Sequence, residues 1–212
     1  MNTDELIRTL AEDTRRVTDA GAWRVAGALI AGGFVALLAI DALFGPPLRA
    51  VAATGVMVFA VKLAYAVSMT AVVASLLLVA GRPGQRFGLR YLWLLAPPLE
   101  VAAAAAMELG IASPHARAAL VLGSTWQTSL ISVVAMSVPV FAALIWSFRR
   151  LAPTRLRLAG CLAGLCSGAM ASLVYALYCT ETALSFLLVW YSLGMVVPGI
   201  AGALLGPRVL RW

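Results

Sequence analysis

The chain has 212 residues, of which 62% are hydrophobic and only 12% charged, with a mean hydropathy of +0.94. That is about half the charge of a soluble domain, so the composition excludes a disordered chain, a disulfide-stapled secreted fold and an ordinary soluble enzyme, and leaves an integral membrane protein. The formal net charge of +7, from 16 Lys+Arg against 9 Asp+Glu, is in such a protein a topology signal before it is a ligand signal.

The first predicted element is a short cytoplasmic N-terminal amphipathic helix in residues 1–22. Glu5 follows Asn2 at the spacing of a capping box. Leu6, Ile7, Leu10 and Val17 share one face with Thr14, while Arg8, Glu12, Arg15 and Asp19 lie on the other. Asp4/Arg8 and Glu12/Arg16 are favourable i,i+4 pairs. The segment carries three arginines against five acids, and its polar opening is not that of a secretory signal. Helices that rest on a bilayer are usually basic with bulky apolar residues. An acidic one with a narrow seam reads better as a docking helix for a basic soluble partner, with Leu6, Ile7, Leu10 and Val17 as the contact residues.

Residues 23–212 read as one transmembrane domain. A helix needs about 20 apolar residues to cross a bilayer, and six stretches qualify: approximately 23–44, 51–80, 91–109, 118–148, 156–178 and 183–205. Breaks fall at Gly45-Pro46-Pro47, Gly81-Arg82-Pro83-Gly84, Ser113-Pro114-His115, the basic stretch around Pro153, and Cys179-Thr180-Glu181. The fold class is therefore all-α, a polytopic bundle of six transmembrane helices. Thirteen arginines fall on the side of the two termini and the second and fourth loops, against Arg49 and Arg117 on the other, which places both termini in the cytoplasm. The second and fourth spans, about 45 Å long at 1.5 Å per residue, need a tilt or kink. Pro139 is the expected kink site in the fourth, and Pro97-Pro98 and Pro198 are expected to interrupt the third and sixth.

Lys62 in span two and Glu100 in span three both fall near mid-depth. Since an ionisable group there costs several kcal/mol unless paired, they read as a structural ion pair between antiparallel neighbours, or as part of a proton or ion relay. Gly160, Gly164 and Gly168 in span five permit close helix approach, either to span six with its Gly194, Gly199 and Gly202 or in a homodimer. Of three cysteines, Cys161 and Cys166 read as small apolar fillers. Cys179, at the outer end of span five, is the thiol placed to sense a signal. Asp41, Glu108, His115 and Glu181 stand around the same rim, but without regular spacing they assign no metal site. No nucleotide, hydrolase or metalloprotease motif is present, so neither catalytic residues nor a cofactor are expected.

Several segments carry a resemblance. Met1-Asn2-Thr3-Asp4-Glu5-Leu6-Ile7 with Leu10-Ala11, Lys62-Leu63 with Tyr65, Leu122-Gly123-Ser124-Thr125-Trp126 and Ala152-Pro153-Thr154-Arg155 are four of them. Tyr175-Ala176-Leu177-Tyr178-Cys179, Trp190-Tyr191-Ser192-Leu193-Gly194 and Leu205-Gly206-Pro207-Arg208 complete the set. In this order, over essentially the whole chain, they resemble the NrsF family of six-span bacterial inner-membrane anti-sigma factors. The resemblance implies a partner, an extracytoplasmic-function (ECF) sigma factor of the sigma-F type. It also implies an anti-sigma role released by an envelope, oxidant or metal stress signal, and no direct contact with nucleic acid. It further implies a pair of thiols, one three residues after the tryptophan of span four and one at the end of span five. Cys179 stands at the second position, whereas Ser129 stands at the first. The rival readings from the residues alone are a small six-span transporter, a lipid-handling protein, or a structural subunit of a larger membrane complex.

Overall fold

In a computed structural model of the chain, residues 3–45, 49–82, 88–149 and 155–210 are described. Along residues 3–20 the description is of the backbone, with side chains at Glu5 and Arg8, both exposed. Among the described residues every regular element is helical. Six helices, Gly21–Phe44, Ala50–Ala80, Gly88–Ile111, Pro114–Phe148, Leu156–Ala176 and Leu184–Val209, are long and apolar enough to cross a membrane.

Helix α1 runs unbroken over Thr3–Phe44, so the polar opening segment and the first span are one helix of 42 residues. At 1.5 Å per residue it is about 63 Å long, roughly twice the hydrocarbon thickness of a bilayer. Helix α2 (Arg49–Ala80) is bent at Gly55, whose φ of 75° is open to glycine at no steric cost. A 3₁₀ segment (Gly88–Leu95) leads into α3 (Ala96–Ile111). Pro97 and Pro98 sit inside the third span where the 3₁₀ segment gives way to α3, in the first turn of the α-helix, where a missing N–H costs nothing.

The fourth span is divided, though not at Pro139. It ends one helix, α4 (Pro114–Leu122), and starts another, α5 (Trp126–Phe148), across Gly123-Ser124-Thr125, with Gly123 at φ 60°. Pro139 lies inside α5. Pro198 likewise lies inside α8 (Ser192–Val209) without ending it. The irregularity in that span comes earlier, as a single turn α7 (Leu184–Phe186) followed by a π-helical turn, Leu187–Tyr191. Such turns insert one extra residue and are frequent at functional sites.

Helix α6 (Leu156–Ala176) is the axle of the bundle, touching α8, α2, α5 and α1. Its glycine run is used within the chain. A Cβ built on Gly160 would overlap the Gly202 carbonyl, one on Gly164 the Pro198 carbonyl, and one on Gly168 would lie 2.6 Å from Met195 Cα. Small residues on both helices let the backbones touch, and packing of this kind drives helix association in lipid. Of the two expected uses of Gly160, Gly164 and Gly168, the seam to span six is the one seen: α8 covers that face.

Candidate functional site

The polar contacts between spans gather at one end of the bundle, on the irregular stretch that leaves α6 and enters α7. Backbone bent into a loop exposes N–H and C=O groups that helix bonds no longer satisfy, and buried groups of this kind need partners. Here α2 and α3 supply partners to that backbone, and α1 and the α4–α5 break bond side chains of the same stretch. From α2, Nζ of Lys62, 1% exposed, donates to the Cys179 carbonyl at 2.9 Å. From α1, Asp41 accepts from the Tyr178 hydroxyl at 3.3 Å. From α3, Glu108 accepts from the Leu184 N–H at 3.2 Å and from the Ser185 N–H and hydroxyl, both at 2.9 Å. At the α4–α5 break, the Ser124 and Thr125 backbone N–H groups donate to Glu181 Oε1 at 2.8 and 3.1 Å, and their hydroxyls at 2.6 and 3.0 Å. Residues 178–185 thus hold α1, α2, α3 and the α4–α5 junction together.

The rim is reinforced just beyond. The Trp190 indole N–H, on the π-helical turn, donates to the Val121 carbonyl at 2.8 Å, and its ring lies 4.9 Å from that of Trp126. Tyr65 and Ser192 share a hydroxyl contact at 2.7 Å. Burial alone would raise the Glu181 carboxyl, but the four bonds from Ser124 and Thr125 outweigh it and hold the group below its ordinary value of 4.5. A depressed carboxyl stabilises the fold fully above its unfolded value and ceases to do so as pH falls through the folded one. Melting of the detergent-solubilised protein from pH 7 down to below the ordinary carboxyl value should therefore show a smaller pH-dependent loss in Glu181→Gln than in wild type. Equal losses would remove Glu181 from the latch.

The sequence-predicted residues are placed unevenly. Lys62 and Glu100 are not brought together: Glu100 is exposed on α3, while Lys62 turns to α6, because α2 packs chiefly on α6 and only lightly on α3. The ion-pair expectation is corrected to a hydrogen bond from Lys62 to a buried carbonyl. Lys62→Met should then cost about 1–3 kcal/mol by orphaning that carbonyl, while Glu100→Gln should leave the unfolding midpoint in detergent near wild type. Comparable damage from both would restore the ion pair.

Cys179 and Ser129 each contact Tyr175, at opposite ends of that residue. Both are buried, at 2% and 1% exposed, and Tyr175 joins them: its hydroxyl lies 2.8 Å from Ser129 Oγ and its carbonyl accepts from the Cys179 N–H at 3.0 Å. A cavity of about 250 Å³ opens here, bordered by Phe44, Thr125, Tyr175, Tyr178, Cys179 and Thr180. The hydroxyl of Tyr191, on the π-helical turn, is buried beside the Cys179 thiol. All three cysteines are free thiols. Asp41, Glu108 and Glu181 are engaged as acceptors and His115 is exposed, so among the described residues no His, Cys, Asp and Glu set converges for a metal. The side chains of Leu6, Ile7, Leu10 and Val17 lie outside the described residues; their backbone belongs to α1. Sequence reasoning missed the acceptor roles of Glu108 and Glu181 and the donors Ser124, Thr125 and Ser185. The sequence signal for them is a pair of short polar breaks, Gly123-Ser124-Thr125 and Thr180-Glu181-Thr182, falling at the same end of the bundle.

Residues 10–212 match the family NrsF, described as negative regulator of sigma F. The chain is 42% identical to a probable anti-sigma-F factor NrsF of Azospira oryzae over 154 residues, covering 73% of this chain and 72% of that one. It is 36% identical to an anti-sigma-F factor NrsF of Caulobacter vibrioides along the whole of both chains. No solved structure matches it significantly.

Proposed function

The chain belongs to the NrsF family, and from that premise we propose that it is a membrane anti-sigma factor that holds an ECF sigma factor at the bacterial inner membrane through the projecting end of α1. Membership makes it a negative regulator of a sigma factor, a regulatory rather than a catalytic protein. The observation that carries the finer reading is the continuity of α1. Helix α1, whose Gly21–Phe44 part belongs to the bundle, extends another 18 residues as helix, about 27 Å, beyond that part. That extension bears the acidic amphipathic pattern of Leu6, Ile7, Leu10 and Val17, suited to a groove on a basic sigma factor.

Release by an envelope, oxidant or metal stress requires two states that grip the partner differently. The latch of residues 178–185 is the element that such a signal would act on, with Cys179 and Ser129 as the sensing residues. It touches α1 through Tyr178 and Asp41, near the far end of the docking rod, so a loosened latch changes how α1 is seated. Deleting the gene should raise transcription from promoters of the cognate sigma factor, and restoring it should lower transcription; unchanged promoters after deletion would overturn the reading.

Orientation follows from charge. Thirteen arginines in the terminal segments and the second and fourth loops, against two elsewhere, support a cytoplasmic position for that side and a periplasmic one for the latch. Alkaline phosphatase fused after Arg211 should be inactive and one fused within the loop at Ser113 active. The reverse pattern would turn the protein over and detach the docking helix from any cytoplasmic sigma factor.

A further inference from the structure

The end of the bundle opposite the latch holds a cleft between the start of α6 and the end of α8, with a volume of about 560 Å³, bordered by Arg157, Ala203, Leu204, Pro207 and Arg208. Its origin lies in the glycine seam. A Cβ on Gly206 would lie 2.5 Å from the Leu156 carbonyl and 3.1 Å from Gly160 Cα, so the two backbones meet with no side chain between them. Just outside that contact the small Ala203 and the ring of Pro207 leave space unfilled, and one arginine from each helix flanks it.

Both arginines are exposed, and neither makes a hydrogen bond or ion pair among the described residues. Arg149, at the same end, is by contrast engaged, its Nε donating to the Val209 carbonyl at 2.9 Å. The five wall residues combine two guanidinium groups with the apolar surface of Ala203, Leu204 and Pro207.

We propose that this cleft binds an anionic phospholipid, whose phosphate is held between Arg157 and Arg208 and whose acyl chain lies along Ala203, Leu204 and Pro207. A guanidinium presents its donors as a planar fork that matches phosphate oxygens two at a time, and basic pockets between membrane helices take anionic headgroups. Topology alone asks only that arginines remain on one side; it does not ask two of them to share a cleft with an apolar wall. The bound lipid bridges α6 and α8 at the end where their packing seam opens, and it does so whichever way the protein faces.

The test is native mass spectrometry of the full-length protein in mild detergent, titrated with phosphatidylglycerol or phosphatidylethanolamine of matched chains. Wild type should retain phosphatidylglycerol about tenfold better, the equivalent of one interaction of 1.4 kcal/mol. Arg157→Gln with Arg208→Gln should abolish the preference, and Arg82→Gln, a basic-end residue outside the cleft, should keep it. Ala203→Phe, which fills the cleft and leaves both charges, should also lose it. Equal retention of the two lipids by wild type, an undiminished preference in the double variant, or an undiminished preference in Ala203→Phe would each overturn the proposal. Displacement of the lipid by excess inorganic phosphate would overturn it as well, by showing a site for a soluble anion. Since no sigma factor is present, these outcomes are independent of the anti-sigma reading.

Discussion

Replacing Gly164 with valine is expected to leave little correctly folded protein. A Cβ at that position would overlap the Pro198 carbonyl oxygen and lie 2.9 Å from Gly199 Cα. Both obstacles are backbone, so no side chain can rotate aside and α6 and α8 must part. Overpacking a core costs about 1–3 kcal/mol where neighbours can yield, and here they cannot. The loss falls on the bundle's most extensive helix pair, at the axle that also carries α2 and α5. Gly27→Val provides the matched control: a Cβ there meets nothing within 4 Å, so the same change in helix propensity occurs without a clash. Gly164→Val should aggregate on detergent extraction or melt far below wild type, whereas Gly27→Val should remain monodisperse. Similar behaviour of the two would mean that the seam does not hold the bundle together.

The six spans were legible because each is a long apolar run ended by Gly, Pro or arginine, and hydropathy needs nothing else. The neighbours of each span were not. Lys62 and Glu100 looked like partners because a short loop joins their helices, yet α2 lies mainly on α6, five elements later in the chain, and Lys62 follows it to the Cys179 carbonyl. Which face of an all-apolar helix meets which neighbour is decided by shape, and only the glycine run signalled that in advance. Pro139 illustrates the same limit: it was the expected kink site in span four and lies inside α5, where a Cβ on Gly32 of α1 would lie 2.6 Å from Val140 Cα. The bend fell instead at Gly123, where φ is positive. Glu108 and Glu181 could be recognised as rim carboxylates but not as acceptors for the N–H groups of Ser185 and Ser124, since those donors are 77 and 57 residues away in sequence. Cys179 was visible as the thiol at the rim, but not its burial among Tyr175, Lys62 and the cavity beside them.

The second large effect is expected at Leu10. By helical spacing it sits between Leu6 and Ile7 on one side and Val17 on the other, at the middle of the apolar seam. Burying a leucine or isoleucine side chain is worth about 1.5–3 kcal/mol. Leu10→Glu removes that contribution and places a charge in the interface, so affinity for the sigma factor should fall at least about tenfold. Target promoters should then fire without any signal. Arg8→Ala, an exposed residue on the other face, should change little, because exposed ion pairs contribute about 0–1 kcal/mol. Both variants leave the bundle intact, so membrane levels should match wild type. A Leu10→Glu strain whose promoters stay silent until stressed would mean that the seam is not what the partner grips.

The most direct measurement is co-purification of the sigma factor from membranes, comparing the full-length protein with a variant lacking residues 2–20. Wild type should bring the sigma factor with it, and the shortened protein, still inserted and monodisperse, should bring none above background. Retention of the sigma factor at the wild-type level by the shortened protein would contradict docking through this segment and move the contact to the basic loops that follow α2 and α5.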